Sequence, residues 1–174
     1  KFSPCTHCNK CVREQSVTCT LFNDDLTPLL PKLLEADGVI LASPVYDMNF
    51  TPQMSGFLSR YRGGYVVLKD NPDYFAKKVG GAIAVGGTRN GGQECVINSL
   101  MGFFHTNGMT PANGGLCMYA GASVWSKDQG AEGAAADENG MNRCRRLGQK
   151  VARLAMALKD TTVFDEVLPF DMGH

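Results

Sequence analysis

The sequence predicts an α/β fold with a parallel sheet, on three observations. Short apolar runs suited to buried strands lie at 38–43 (GVILAS) and 79–87 (VGGAIAVGG). Segments with apolar residues at helical spacing alternate with them, at 51–61, 93–106 and 142–159. No repeat and no linker divides the 174 residues, a length that fits one domain.

Taken in order, residues 1–24 have no clean period and read as a cysteine-rich loop. Residues 25–36 predict a helix with Thr27 as cap and Pro28 at its first position. The strand at 38–43 runs into PVYDMNFTP, and a helix follows from Thr51, with Pro52 first and Met54, Phe57, Leu58 and Tyr61 facing inward. Residues 62–77 read as connection. The second strand, 79–87, leads through TRNGGQ into a helix over 93–106 with Val96, Leu100 and Phe103 inward. A third strand is expected within 108–125, at 115–120 (GLCMYA) or nearer Met109. A Gly/Ala/Asp/Glu loop spans 126–140, and the last helix, 142–159, carries Leu147, Val151, Leu154 and Leu158 in register. The expected organisation is a loop at 1–24, an α/β core over 25–160 and a tail at 161–174, where TTVFDEVLPF has the composition of a further strand.

Composition narrows the class. Lys plus Arg and Asp plus Glu both number 17, so no basic surplus favours a nucleic-acid partner. No apolar run approaches the roughly 20 residues of a membrane span, and KFSPCTHC is no signal peptide. Seven cysteines, four of them within the first nineteen residues, fit a reducing, cytoplasmic setting better than a disulfide scaffold. Cys95, Cys117 and Cys144 fall in segments that read as core.

Cys5, Cys8, Cys11 and Cys19 follow the spacing C-x2-C-x2-C-x7-C. The compact front half resembles the start of four-iron cluster motifs, because two-residue gaps let a curled loop converge its thiolates. Thr18 and Thr20 can donate hydrogen bonds to such sulfurs. Structural zinc prefers two separated hooks. A redox dithiol leaves two cysteines unused, and unrelated thiols are the bland alternative. His7, between two of the cysteines, reads as a solvated loop residue rather than a ligand.

Two loops leave the expected carboxyl ends of strands, where open α/β sheets bind ligands. One is Pro44–Phe50 and the other Gly86–Glu94. Together they offer an aromatic (Tyr46), amides, backbone groups and a guanidinium (Arg89), a set suited to a flat ring with polar edges. Two ordinary tight turns are the alternative. Neither is a G-x-G-x-x-G or Walker A nucleotide motif. No Ser-His-Asp arrangement is evident.

The cysteine motif, ADGVILASPVY at 36–46, NFTPQMSGFLSR at 49–60, GGTRNGGQE at 86–94 and the NG turn at 107–108 together resemble the iron–sulfur flavoproteins, within the flavodoxin-like NAD(P)H-dependent FMN reductase superfamily. The resemblance is in order and spans nearly the whole chain. It implies a flavodoxin-like three-layer sandwich holding FMN and one [4Fe-4S] cluster. Carried over, Pro44, Val45, Tyr46, Asn49, Gly86, Gly87, Thr88, Arg89 and Gly91 flank the flavin ring. Cys5, Cys8, Cys11 and Cys19 hold the cluster. It also implies a homo-oligomer and a ferredoxin-like electron donor. Met48 stands where the pattern usually has glycine, and Thr51 where it often has proline. The family's opening strand, phosphate loop, helix and second strand precede its cysteine motif, whereas this sequence opens on the cysteines. An incomplete or split domain is therefore expected: the sequence is a fragment, a second chain supplies the missing part, or something replaces it. The leading functional expectation is electron transfer between cluster and FMN. The alternatives are an NAD(P)H-dependent reductase of flavin or quinone, and a non-catalytic cluster-bearing subunit.

Overall fold

In the computed structural model, which describes residues 1–165, the first apolar run forms strand β1, Gly38–Pro44. It pairs in parallel with β2, Val79–Gly86, from Gly38 opposite Val79 to Pro44 opposite Val85. Two short strands, β3 (Thr110–Pro111) and β4 (Ala122–Trp125), lie end to end along the other edge of β2, both parallel to it. They are one strand position interrupted by an excursion over 112–121. Positive φ at Gly115, Cys117 and Tyr119 breaks the extended chain there, and Asn113 Nδ2 donates to Tyr119 O at 2.6 Å across the base. The strand expected at 115–120 therefore does not form; the alternative near Met109 is where β3 begins.

Helices cover both faces. Successive residues of β2 point to opposite sides. A Cβ at Gly80 would strike the Phe104 ring of α5 (Gln93–Thr106), and one at Gly81 would meet Leu147 and Val151 of α7 (Glu138–Lys159). One core, with Val39, Leu41, Val96, Leu100 and Phe104, fills the α5 side, and Val79, Ala122, Leu147, Val151 and Ala155 fill the α7 side. This is the flavodoxin-like three-layer arrangement. β2 is covered along both faces, whereas β1 alternates buried and exposed. Val39, Leu41 and Ser43 are inside, and Ile40 is left 39% exposed. The outer edge of β1 pairs with no other described strand.

Local chemistry explains most boundaries. Thr51 caps α3 (Pro52–Ser59), its hydroxyl accepting from Met54 N–H at 3.2 Å, as expected. A 3-10 turn (Arg60–Gly64) follows, and then a helix over Tyr65–Asp70 in the stretch expected to be connection. The helix expected at 25–36 shrinks to Leu30–Glu35, with Pro31 inside its first turn, where a missing N–H costs nothing. Thr27 does not cap it; its hydroxyl instead donates to Phe22 O at 2.9 Å. A short helix, Gly130–Ala136, occupies part of the expected 126–140 loop. No described helix is long and apolar enough to cross a membrane. The first half of TTVFDEVLPF, 161–165, forms no strand, and its second half lies outside the described residues.

Arg60 fixes the front loop to this frame. Its side chain is 1% exposed and pairs with Asp24 through two bonds, at 2.8 and 3.2 Å, while also donating to Ser3 O at 2.8 Å. The Arg60 guanidinium beside Asp24 holds that carboxyl well below the usual carboxylate range.

Candidate functional site

The carboxyl ends of β1, β2 and β4 open onto one end of the sheet, and a loop leaves each. The first loop is a tight turn in which Tyr46 and Asn49 exchange backbone bonds of 2.8 and 2.9 Å. Both central residues are left-handed, Asp47 at φ 47 and Met48 at φ 66, the signature of a type I′ turn. A glycine is at ease at that backbone angle, whereas Met48 holds it at a cost of roughly 1 kcal/mol. The turn leaves Tyr46 and Met48, two large side chains two residues apart, each 57% exposed.

The second loop is organised by its own glutamine. Gln93 is buried; its Nε2 donates to Thr88 O at 2.6 Å and its Oε1 accepts from Gly91 N–H at 2.9 Å. Gly86 must be glycine for this, since a Cβ there would collide with the Gln93 amide. The backbone N–H groups of Gly87, Thr88, Arg89 and Asn90 have no partner among the described residues. Trp125, at the end of β4, supports the loop from the far side. Its Nε1 donates to Gly87 O at 2.9 Å, and the Arg89 guanidinium lies 4.6 Å from its ring centre.

Between the second loop, the end of β4 and the first turns of α5 and α7 lies a polar cavity of about 430 Å³. Met48, Arg89, Trp125, Asp137, Asn139 and Arg143 are among its walls. Asp137 caps α7, Oδ1 accepting from Gly140 N–H at 3.0 Å, and ties that helix to β4 by accepting Trp125 N–H at 2.8 Å.

Pro44, Val45, Tyr46, Asn49, Gly86, Gly87, Thr88, Arg89 and Gly91 thus all gather at one end of the sheet. Only Arg89 among them lines the cavity. Sequence reasoning misses Trp125, Asp137, Asn139 and Arg143, because Trp125 ends a strand sought elsewhere and Asp137 begins a helix expected to start later. The Asp137-Glu138 pair, a cap followed by an acid in the first turn, is the signal that could have found that helix start.

The donor set fits an isoalloxazine ring. Tyr46 and Met48 supply an apolar bed, and unpartnered N–H groups of the second loop match the carbonyl-bearing edge of such a ring.

The cysteine loop gives a different result. Cys5, Cys8, Cys11 and Cys19 rim one small void of about 20 Å³, but their environments diverge. Cys8 is exposed, and a hydrogen bond from Lys10 N–H pulls its thiol pKa down. Cys11 is buried, and desolvation, with its neighbouring thiols adding, pushes its pKa up. Cys5 Sγ accepts from His7 N–H at 3.3 Å. Thr18 pairs with Ser16 at 3.3 Å, and the buried Thr20 hydroxyl has no partner among the described residues. Among the described residues, no group of three or more His, Cys, Asp or Glu is arranged to hold a metal ion. The expectation of a [4Fe-4S] cluster on these cysteines is thereby corrected. The cluster-to-FMN relay, its ferredoxin-like donor and the cluster-bearing-subunit reading, which all presuppose that cluster, fall with it. Cys95 and Cys117 are exposed rather than in the core, and Cys144 is half-buried.

Comparison with known proteins places these features. Residues 5–123 match the family described as NADPH-dependent FMN reductase. The chain is 40% identical over 147 residues to an iron-sulfur flavoprotein of Methanocaldococcus jannaschii, covering 84% of this chain and 72% of that one. It is 36% identical over 155 residues to an iron-sulfur flavoprotein of Archaeoglobus fulgidus, covering 88% and 76%. In fold it is similar to the Trp repressor binding protein from Bacillus subtilis, with a TM-score of 0.54 at 21% identity over 72% of this chain and 73% of that one.

Proposed function

The chain belongs to the NADPH-dependent FMN reductase family, and from that premise we propose that it acts as an NAD(P)H-dependent reductase of flavin or quinone, with FMN held at the strand ends. The observation that carries the proposal is the pairing of an exposed Tyr46–Met48 surface with a loop of unpartnered backbone donors at the carboxyl end of a parallel sheet. Pro44, Val45, Tyr46 and Asn49 form one wall of the flavin site, and Gly86, Gly87, Thr88, Arg89 and Gly91 the other.

Bound FMN supplies the hydride-accepting and electron-donating chemistry. This chain's residues bind and bias it. Tyr46 and Met48 keep water from one face of the ring. The N–H groups of 87–90 donate to its polar edge. Arg89, permanently charged and steadied on Trp125, offsets negative charge gained on reduction. A homo-oligomer is part of the same proposal, supported by the unpaired edge of β1 and the exposed Ile40.

The test is reconstitution with FMN followed by NADPH oxidation at 340 nm with a quinone acceptor. Saturable flavin binding and acceptor-dependent oxidation are expected. Tyr46→Ala should weaken FMN binding about tenfold, the loss of a stacked aromatic surface. Absence of flavin binding in the wild-type protein sinks the proposal.

A further inference from the structure

Two arginines with no ion-pair partner among the described residues line the cavity beside the flavin loops, with two carboxylates in the same wall. The ion pairs among the described residues use Lys1, Lys10, Arg60, Lys77 and Lys159. Arg89 and Arg143 both line the cavity, and neither pairs with a carboxylate among the described residues. Arg143 makes one long bond, from Nη1 to Ser123 Oγ at 3.4 Å. The two carboxylates in the same wall are already answered. Each oxygen of Asp137 accepts a backbone N–H, from Gly140 and from Trp125. Glu94 sits in the first turn of α5, where the helix dipole offsets it.

The volume, about 430 Å³, is in the range of small-molecule sites and far exceeds one inorganic ion. Planar guanidiniums match phosphate oxygens in pairs. We infer that this cavity is a phosphate subsite for a nucleotide-type ligand, with Arg143 as its main anion contact and Arg89 as the second. The inference rests on the flavin-reductase reading only for which molecule bears the phosphate: FMN itself or the nicotinamide dinucleotide donor. Arg143 belongs to neither flavin loop, and its bond to Ser123 ties it to β4 rather than to them.

Trp125 is the chain's one tryptophan and stands in the cavity wall, so its emission reports on the site directly. Wild type, Arg143→Gln and Arg143→Lys are titrated with inorganic pyrophosphate, with sodium chloride holding ionic strength constant. A saturable emission change is expected in wild type. Its midpoint should rise about tenfold in Arg143→Gln, with partial recovery in Arg143→Lys. Unchanged far-UV circular dichroism establishes that the variants are folded. No saturable change in wild type, or equal midpoints in folded wild type and Arg143→Gln, overturns the inference.

Two further arms identify the bearer. Loss in Arg143→Gln of the preference for FMN over riboflavin assigns the phosphate to the flavin. A KM for NADH or NADPH raised about tenfold at unchanged FMN affinity assigns it to the donor. An intact FMN preference together with unchanged donor KM values would overturn the subsite. Pyrophosphate binding through Arg143 in a protein that takes up no flavin would support the subsite while removing the flavin-reductase reading.

Discussion

The front loop, irregular but for one helical turn at Lys10–Arg13, and the glycine loop are held by opposite means. The front loop, residues 1–24, has a few bonds of its own and is tied down from outside by residues 59–62, at the end of α3 and in the 3-10 turn after it. Ser59 Oγ accepts from Cys5 N–H at 3.1 Å, Arg62 donates to Asn9 at 3.1 Å, and buried Arg60 grips Asp24 and Ser3. The glycine loop, 87–92, is held from within and at both ends: strand β2 delivers it, α5 receives it, and Gln93 reaches back to bond it twice. A loop with external ties is as stable as its best tie. A loop strung between secondary elements keeps its place when one bond is lost. The donor sets differ accordingly. The front loop turns its cysteines to unlike environments, whereas the glycine loop aims its free N–H groups from a frame that packing fixes.

The contrast can be broken most sharply at Asp24. Asp24→Ala leaves the Arg60 charge buried and should destabilise the protein by about 3 kcal/mol in urea unfolding, with proteolytic cleavage concentrated in residues 1–24. The pH dependence follows from the depressed carboxyl pKa. The stabilisation is complete above the unfolded value of about 3.9 and fades as pH falls towards the lower folded value. The stability gap between wild type and Asp24→Asn should therefore close steadily below about pH 4. A gap that stays constant down to pH 2 would contradict this account of the tie.

A smaller effect is expected at Gln93. Gln93→Leu removes both internal bonds and should cost about 1–2 kcal/mol, with flavin affinity lowered and cleavage in residues 1–24 unchanged. Cleavage of the front loop in this variant would show that the two regions are coupled after all. The smallest effect belongs to Trp125→Phe. It keeps an aromatic face for Arg89 but loses the Nε1 bond to Gly87, about 0.5–1 kcal/mol by thermal melting.

What the sequence disclosed depended on how local the cause was. Thr51-Pro52 opens a helix through a bond three residues away, and 93–106 forms the helix its periodicity predicts. Strands β1 and β2 were legible as apolar runs. The split of the third strand was not, since it depends on where β2 can accept a neighbour and on left-handed residues at Cys117 and Tyr119 that composition does not flag. Nothing in the sequence marks Arg60 as buried, because its partner Asp24 lies 36 residues upstream. The cysteine spacing suggested convergence, yet spacing carries no information on the burial that separates Cys11 from Cys8. The two strand-end loops were legible from motif and strand-end logic together, and the fold brings both to one end of the sheet. One wall of the adjoining cavity comes from 123–143, and only the folded chain brings it against residues 89–95.

Gly80 gives the glycine loop a remote control point. Phe104 rests where a Cβ at residue 80 would stand, so glycine sets how closely α5 lies on the sheet. Phe104 is near one end of that helix, and Gln93 begins the other, more than ten residues and roughly 17 Å away at 1.5 Å per residue. The helix is a stiff rod between them. Adding one methyl group at residue 80 would lift its far end and tilt the near one, moving Gln93 and the N–H groups it organises. A substitution in a buried strand, touching no ligand, would then surface as a defect in ligand affinity, and a search confined to the strand-end loops would miss its source.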